Sequence, residues 1–514
     1  MPHAPGRTDV SNERPDPSDA SGHAAGPGSR PAAGGSGEGV AVTPDTEIYK
    51  RFEDRAAVQL RKKQLPLLLG RATDTRDLRR RLAFEPFDLA GLRKASEDVR
   101  AHTVANLPMY LERFAERAEA RGTKVFFAAT AGEAVDYVRG VVRDRGATLV
   151  SKGKSMAAEE IGLNHALEVD GVKVVETDLG EYIVQMAGQP PSHITAPAVH
   201  LSRTEIAKLF SNVHHRSLPA DPERLTDFAR GFLRETFLNA GVGISGVNFG
   251  VAETGSLCLV TNEGNGRMVT SLPPVHIALM GMERLVPSFE QLGLLLPMLA
   301  TSASGRAVTT YFSFIHGPRL PSDVDGPEEV HVVVIDNGRS KILGTEFQSI
   351  LHCIRCGACQ NVCPVYRQVG GHGYGAVYGG PIGAVLTPLL VGFEKAGDLP
   401  HASSLCGACT EACPVNIPLH EHLLALRREV AREQKPMTEM VMSRAWATAW
   451  RTPRRYRLFA RLSRLGQRVF VRRGRIARAP FPLSRWTKDR DLPPVAAETF
   501  RERWARTHDA KDID

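Results

Sequence analysis

Seven cysteines in two short runs constrain this chain more than any other feature of its sequence. The first run reads Cys353-Ile-Arg-Cys356-Gly-Ala-Cys359-Gln-Asn-Val-Cys363-Pro, which has the spacing C-x2-C-x2-C-x3-C-P. In bacterial ferredoxins with this spacing, three thiolates bind one [4Fe–4S] cluster and the fourth, which precedes proline, binds a second cluster. The run therefore predicts a second cysteine run elsewhere in the chain and a pair of iron–sulfur clusters.

The second run, Cys406-Gly-Ala-Cys409-Thr-Glu-Ala-Cys413-Pro, is one cysteine short, because the full spacing places Ser403 at its first position. If the last cysteine of each run binds the cluster held by the other run, two ligand sets are predicted. The first set is Cys353, Cys356, Cys359 and Cys413, and the second is Cys363, Cys406 and Cys409, with Ser403 as an uncertain fourth ligand. We expect the first cluster to be [4Fe–4S]. The second is either [4Fe–4S], with the serine hydroxyl, a neighbouring residue or solvent on one iron, or [3Fe–4S].

Structural zinc is the alternative reading of these cysteines. Zinc favours separated pairs of ligands that close a tetrahedron, which a triplet at two-residue intervals does not provide. The remaining cysteine, Cys258, lies in an apolar run and is predicted to be a small core residue. Residues 1–40 lack the apolar stretch of a secretory signal, and crowded cysteines in such a chain favour metal ligation in a reducing compartment over disulfides. We therefore expect a cytoplasmic protein, with peripheral contact to a membrane left open.

Composition and hydrophobic patterning divide the 514 residues into four predicted regions. Residues 1–45 are predicted to be disordered, 46–340 to form an α/β domain with N-terminal helices, 341–435 a helical two-cluster domain, and 436–514 an Arg-rich region. Strand patterns at 125–129, 147–150 and 172–175 alternate with helical ones, including a helix at 155–167, and further strands are predicted at 256–260 and 331–335. This alternation predicts a parallel sheet with right-handed crossovers.

Polar loop residues in the α/β region form a candidate site for an anion or small substrate. Lys152 and Lys154 follow a predicted strand, at the sheet edge where open α/β sheets bind ligands and beside the start of a helix. Glu253 and Asn262 lie in two Gly-containing loops further along the chain. The alternative is that these loops are ordinary turns with solvated charges.

Three segments followed by the cysteine runs carry a family resemblance. Ser151-Lys-Gly-Lys-Ser-Met-Ala-Ala-Glu-Glu160, Glu176-Thr-Asp-Leu-Gly-Glu181 and Gly250-Val-Ala-Glu-Thr-Gly-Ser256 resemble the bacterial lactate utilisation protein B family, and the similarity extends from about residue 46 onward. The resemblance implies a LUD domain, similar in fold to sugar isomerases and CoA-transferases, followed by an α-helical ferredoxin domain with two [4Fe–4S] clusters. It also implies partner subunits that together oxidise L-lactate to pyruvate.

We expect an electron-transfer subunit without catalytic residues of its own, because no G-x-G-x-x-G flavin or nucleotide fingerprint opens a βαβ unit. Its expected partners are the other subunits of the lactate utilisation complex and electron donor and acceptor proteins. One alternative is that the LUD domain itself binds or oxidises a 2-hydroxy carboxylate. Another is an iron–sulfur regulatory or nucleic-acid-binding protein.

The net charge of +8 has a local origin. Residues 444–488 hold fourteen Arg and Lys residues and no acid. Their positive charge is larger than the net charge of the whole chain, so the rest of the chain is mildly acidic. Together with Trp446, Trp450, Trp486 and Trp504, this composition predicts a basic helical C-terminal arm. We expect the arm to dock on an acidic partner subunit, and an anionic membrane surface or nucleic acid are the alternatives.

Overall fold

The computed structural model describes residues 51–507 except 308, 435, 436, 481, 482, 485 and 489, with the side chains of 438 and 439 also left out. The predicted disorder of residues 1–45 lies outside the described residues. Four helices come first: α1 (Phe52–Leu60), α2 (Leu65–Phe84), α3 (Leu89–Ala105) and α4 (Leu107–Glu119). Asp88 starts α3 because its carboxylate accepts a hydrogen bond from the Gly91 N–H at 3.0 Å.

Ten strands and eight helices follow as far as residue 335. The strands are β1 (Lys124–Ala128), β2 (Leu149–Lys152), β3 (Lys173–Glu176), β4 (Val242–Gly246), β5 (Phe249–Val251), β6 (Ser256–Thr261), β7 (Val275–Gly281), β8 (Leu285–Val286), β9 (Tyr311–Ile315) and β10 (Glu329–Ile335). The helices are α5 (Ala131–Asp144), α6 (Met156–Glu160), α7 (Leu163–Val169), α8 (Leu179–Met186), α9 (Arg203–Val213), α10 (Pro222–Asn239), α11 (Asn265–Ser271) and α12 (Phe289–Ser304).

The main sheet has six strands in the order β1-β10-β7-β4-β2-β3, and every pairing in it is parallel. Its central strands are almost entirely apolar, as in β10 (EVHVVVI) and β7 (VHIALMG), because helices cover both faces of a parallel sheet. The predicted parallel α/β domain is thus confirmed.

Two predicted elements differ from the structure. The helix predicted at 155–167 is broken into α6 and α7 by Gly162, whose φ of 67° ends the first helix in the left-handed region. The strand predicted at 256–260 is β6, which does not join the parallel sheet. It lies in a second, four-stranded sheet with the order β8-β5-β6-β9, paired antiparallel to β5 and β9.

A helical module with the two cysteine runs follows the sheets. Its helices are α13 (Ala358–Val362), α14 (Pro364–Val369), α15 (Gly380–Val391), α16 (Phe393–Ala396), α17 (Ala408–Glu411) and α18 (Leu419–Gln434). The cysteine runs lie at helix starts, as expected for a helical ferredoxin domain, since α13 and α17 each begin two residues after a cysteine. Along α18, Leu419, Leu423, Leu426 and Val430 form the buried face that their spacing predicts.

The second sheet and the helical module share one hydrophobic core. Phe249 and Val286 of the sheet belong to the same buried cluster as Leu69 of α2 and Leu386 of α15. Helix α2 packs against α12, α13 and α14, so the N-terminal helices connect the two parts. A continuous core of this kind fixes the cysteine runs against the α/β part.

Three further helices form the basic C-terminal region: α19 (Met437–Trp450), α20 (Pro453–Gly466) and α21 (Phe500–Thr507). Helices α19 and α20 pack against each other, and Trp450 contacts Tyr456 with ring centroids 5.2 Å apart. The predicted basic helical arm is confirmed. Within the described residues, no helix combines the length and apolar character needed to span a bilayer.

Candidate metal centre

The first cysteine run folds into a tight loop that ends in helix α13. Arg355 and Gly357 both have positive φ, 60° and 75°, which curls the chain around the side chains between them. A non-glycine residue rarely adopts this conformation, so the loop at Arg355 is held by its surroundings. The Arg355 N–H donates a hydrogen bond to Cys353 Sγ at 3.4 Å. Backbone N–H groups that point at cysteine sulfur are a general feature of iron–sulfur loops.

The second run repeats this loop. Leu405 and Gly407 have φ values of 56° and 83°, at the same positions relative to Cys406 as Arg355 and Gly357 occupy relative to Cys356. Helix α17 then begins at Ala408, as α13 begins at Ala358. The two runs therefore share one local conformation, although their sequences match only at Cys-Gly-Ala-Cys and at the final Cys-Pro.

The cysteine before each proline also accepts backbone hydrogen bonds. Cys363 Sγ accepts from the Tyr366 N–H at 3.5 Å at the start of α14, and Cys413 Sγ accepts from the Ile417 N–H at 3.4 Å. Such bonds orient a sulfur atom and favour its anionic form.

The structure places the thiols of the two runs in two neighbouring groups. The first group lines one largely apolar cavity together with Ile194, Ile382 and Ile417. Its members are Cys353, Cys356, Cys359 and Cys413. The second group consists of Cys363, Cys406 and Cys409, since Cys406 is near enough to help raise the pKa of the other two thiols. Cys359 also interacts with Cys409, so the two groups are neighbours.

The two groups differ in exposure. Three cysteines of the first group are buried and Cys353 is half-buried, whereas Cys406 of the second group is exposed. Ser403 is half-buried, and its hydroxyl accepts a hydrogen bond from the Leu405 N–H at 3.1 Å. The second group therefore reaches the surface at Cys406, although Cys363 and Cys409 are buried.

Burial keeps the thiols of Cys356, Cys359, Cys409 and Cys413 protonated, because it raises the pKa of each. It raises the pKa of Cys409 to about 11 and that of Cys413 to about 12, and it raises the pKa of Cys356 and Cys359 further. Iron binds the thiolate, so cluster assembly must displace these protons. Four sulfur donors around an apolar cavity, with backbone N–H groups directed at sulfur, fit a [4Fe–4S] cluster in the first group. Within the described residues, no three His, Cys, Asp or Glu side chains form a site for a single metal ion.

A buried charged network adjoins the first group. Arg284 donates to the Cys353 carbonyl at 2.7 Å, and the Arg355 guanidinium lies 4.4 Å from the centre of the Tyr378 ring. Glu283 forms ion pairs with Arg339 at 2.8 Å and with Arg355 at 3.4 Å. Burial by itself would raise the pKa of Glu283, but the surrounding arginines lower it to about 2. The glutamate is therefore ionised at neutral pH.

The α/β part reaches the first cysteine group through residues 192–195. The Ser192 carbonyl accepts from the Tyr366 hydroxyl at 2.7 Å, and the Ile194 N–H donates to Gln360 at 3.2 Å. His193 lies 3.1 Å from Asn361, and its pKa is lowered mainly by burial, so its imidazole is neutral. This segment covers the side of the cavity that Ile194 lines.

The structure places the four candidate anion-binding residues of the α/β part on different elements. Lys152 is buried at the end of β2, where it forms ion pairs with Glu176 and, at 3.1 Å, with Glu159. Lys154 is half-buried and interacts electrostatically with Glu181.

The other two candidates lie on the second sheet. Glu253 is exposed in the β5–β6 turn and accepts from the Phe289 N–H at 3.4 Å. Asn262 follows β6 and accepts from Arg306 and from the Thr310 N–H, each at 3.4 Å.

Several residues around the cysteines carry no signal that the sequence analysis used. On α3, Arg93 donates to the carbonyls of Cys413 and Thr410, both at 2.9 Å, and Arg100 is buried against the turn that precedes Cys353. Arginines on a helix are normally read as solvated. Their inward direction depends on the packing of α3 against the helical module, which sequence spacing does not reveal.

The fold and the cysteine groups define a class of protein, an α/β LUD domain joined to a helical dicluster iron–sulfur module. Family models match along the chain in the same order: LUD domain at residues 111–335, 4Fe-4S dicluster domain at 349–417, and Lactate utilisation protein B, C-terminal, at 425–509. The chain belongs to the lactate utilisation protein B family.

Curated relatives carry the same name. The chain is 52% identical over 415 residues to lactate utilization protein B of Macrococcus caseolyticus, which covers 80% of this chain and 87% of the relative. The Bacillus licheniformis protein is 50% identical over 413 residues, with the same coverage of both chains, and the Bacillus subtilis protein is 48% identical over 416 residues. Among solved structures, a DUF162 family protein from Deinococcus radiodurans matches 45% of this chain and 98% of its own length, at 15% identity and a TM-score of 0.26.

Proposed function

We propose that this protein is the iron–sulfur electron-transfer subunit of a complex that oxidises L-lactate to pyruvate. The observation that supports this most directly is the pair of adjacent cysteine groups, of which the second reaches the surface at Cys406. Bound iron–sulfur clusters would supply one-electron transfer. The relatives named lactate utilization protein B support the place of the chain in lactate utilisation.

The ligand sets of the proposal are those of the two thiol groups. Cys353, Cys356, Cys359 and Cys413 would hold a [4Fe–4S] cluster in the apolar cavity. Cys363, Cys406 and Cys409 would hold a second cluster beside it. Residues such as Ile194 and Ile382 would protect the first site from water. Helix α13 would hold the two sites close together, because Cys359 of the first set lies in it and Cys363 of the second set follows it. We also propose the division into regions at about residues 45, 340 and 435.

Anaerobic reduction by lactate tests the proposal. The purified chain, alone and combined with the other subunits of the system, receives L-lactate, and reduction is followed by visible absorption and EPR. We expect reduction only in the complete complex. Cys356→Ala should abolish it, whereas Cys258→Ala, which removes a buried thiol outside both groups, should not. Reduction of the isolated chain by lactate, or no reduction in a complete complex with both clusters present, would contradict the proposal.

A second candidate function is that the LUD domain binds a 2-hydroxy carboxylate near Lys154. One observation favours it: Lys154 interacts electrostatically with both Glu181 and His193, and His193 belongs to the segment that covers the first cysteine group and contacts Asn361 of α13. Lys152 forms ion pairs with two glutamates, so under this alternative it has a structural role and does not bind the substrate. Isothermal titration of the chain with lactate and pyruvate, compared with a Lys154→Met variant, distinguishes the two functions.

We further propose a cytoplasmic protein whose partners are the other subunits of the lactate system and the donor and acceptor of electrons. The dependence of both sites on reduced thiols supports a reducing compartment. The apolar and basic sides of α20 support peripheral contact with an anionic membrane surface. Nucleic acid is the less favoured partner of this region.

A further inference from the structure

The second cysteine group lacks a fourth thiol, and the structure indicates which side chain takes its place. Cys353 and Ser403 each stand three residues before the central cysteine of their loop. The positive φ angles of Leu405 and Gly407 reproduce those of Arg355 and Gly357, so the backbone brings Ser403 into the position of Cys353. The first side chain of each loop is therefore directed by the same turn.

The hydrogen bonds inside the loops agree with this. Cys353 Sγ accepts from the N–H two residues ahead, that of Arg355, at 3.4 Å. Ser403 Oγ accepts from the N–H two residues ahead, that of Leu405, at 3.1 Å. In both loops the heteroatom of the first side chain thus lies on the same side of the turn. Ser404, its neighbour, is exposed.

The backbone at Ser403 is also anchored from outside the loop. Arg427 of α18 donates to the Ser403 carbonyl at 2.9 Å and to the Pro400 carbonyl at 3.0 Å. Leu405 packs against the shared hydrophobic core although its φ is unfavourable for a leucine. The chain thus maintains a ligand-loop conformation at a position that has no cysteine.

We propose that Ser403 Oγ is the fourth protein ligand of the second cluster, together with Cys363, Cys406 and Cys409. Binding forms one Fe–O bond and releases the hydroxyl proton to solvent, which reaches this loop at Ser404 and Cys406. No electron is transferred in this step. An alkoxide oxygen is a harder ligand than a thiolate, so the iron bound by Ser403 differs from the three irons bound by cysteine. The inference rests on the proposed function only in requiring that the second cluster exists.

The test compares the anaerobically purified wild-type chain with variants at Ser403 and Ser404. Iron and acid-labile sulfide are counted per chain, and EPR and Mössbauer spectra are recorded on the oxidised protein. We expect about eight irons in the wild type, as for two [4Fe–4S] clusters, with one iron spectroscopically distinct. Ser403→Ala should lose iron from the second cluster only and show a three-iron EPR signal. Ser403→Cys should keep the full iron count and lose the distinct iron.

Ser404→Ala and Ser404→Cys are the matched controls and should resemble the wild type. If Ser403→Ala loses the whole second cluster, recovery of that cluster in Ser403→Cys supports the ligand role, and a failure of Ser403→Cys to recover it opposes that role. Spectra of Ser403→Ala identical to the wild type, or a three-iron cluster in the wild type itself, would overturn the inference. Lactate-dependent reduction of the complete complex is measured separately, so the inference and the proposed function can fail independently.

Discussion

At the scale of single residues, the first cysteine group is surrounded by more positive than negative charge. Arg284 and Arg355 contact its loop or the residues around it, and Glu283 pairs with Arg355. The charged residues of this buried surrounding are Arg100, Arg284, Arg339 and Arg355 against Glu160 and Glu283. An excess of cations stabilises the negative charge that four thiolates bring, and it favours the reduced form of the site.

This charge balance gives a prediction for Arg355→Gln, which removes one positive charge and keeps a polar side chain. The reduced, more negative state loses stabilisation, so the reduction potential of the first cluster should fall. Unit charges about 8–16 Å apart interact by roughly 1–2 kcal/mol at an effective dielectric constant near 20, and this corresponds to roughly 45–90 mV for one electron. Redox titration followed by EPR measures the shift.

Two variants separate charge from structural damage in that measurement. Glu283→Gln removes a negative charge from the same network and should shift the potential upward. Arg457→Gln removes an exposed arginine of α20 and should leave the potential unchanged. A shift of the same sign in the Arg355 and Glu283 variants would show that the potential responds to disruption of the loop and not to charge.

Arg100 illustrates how a single charged residue organises backbone around the site. Its guanidinium is buried and donates to the carbonyls of Glu283, Leu285, Leu351 and His352. Burial lowers its pKa to about 10, which still leaves it charged at neutral pH. It therefore joins α3, the start of β8 and the turn that leads to Cys353.

At the scale of elements, a buried ion pair joins α6 to the segment after β10 and to the helical module. Glu160 accepts from Arg339 at 2.8 and 2.7 Å, from Asn337 at 2.9 Å and from the Tyr378 hydroxyl at 2.6 Å. Burial would raise the pKa of Glu160, but Arg339 and its other partners lower it. Every partner donates a hydrogen bond to the ionised carboxylate, so the contact between these elements depends on the negative charge of Glu160.

Glu160→Gln should therefore destabilise the protein strongly. The variant leaves Arg339 buried with one fewer anion, and breaking a buried pair from one side costs about 3–5 kcal/mol. Anaerobic urea unfolding followed by circular dichroism measures the loss. Glu346→Gln breaks an exposed pair with Arg428 in the helical module and should cost less than about 1 kcal/mol. Equal stability of the two variants would show that the junction contributes little.

Loop and helix breaks at this scale were only partly predictable. The alternation of strand and helix patterns correctly predicts β1, β2, β3 and β10 within the parallel sheet, because each contains a short apolar run that lies between helical patterns or follows one. It does not predict the break at Gly162, since the apolar spacing continues through it. Nor does it show that β6 leaves the parallel sheet, because an apolar strand has the same pattern in either sheet.

At the scale of the whole molecule, α20 presents apolar and basic side chains together. Leu458, Phe459, Leu462 and Leu465 are all substantially exposed, although burial would favour them. Arg454, Arg455, Arg457, Arg461 and Arg464 lie on the same helix. Helices of this composition bind anionic lipid surfaces by combining apolar insertion with electrostatic attraction.

We expect the full chain to bind vesicles that contain phosphatidylglycerol more tightly than vesicles of phosphatidylcholine alone, and less tightly at high salt. Leu458→Ser with Leu462→Ser should weaken binding at least about tenfold, since each buried leucine contributes about 1.5–3 kcal/mol. Cosedimentation measures this, and Leu424→Ser on α18 is the control for another exposed leucine. Equal binding to both vesicle types would contradict the expectation, and tighter, salt-sensitive binding to duplex DNA would favour the nucleic-acid alternative.

The sequence by itself determined the family of this protein and predicted its iron–sulfur chemistry. Ligand spacing is a local property, so seven cysteines, the proline after each run and the gap at Ser403 predict two iron–sulfur sites without knowledge of the fold. Tertiary structure alone decided the environment of those sites. Arg93, Arg100, Glu160 and Glu283 come from distant parts of the chain, and only the shared core brings them to the cysteines. It also paired the buried Lys152 with Glu159 and Glu176, because long-range packing, and not spacing along the chain, sets which polar groups meet.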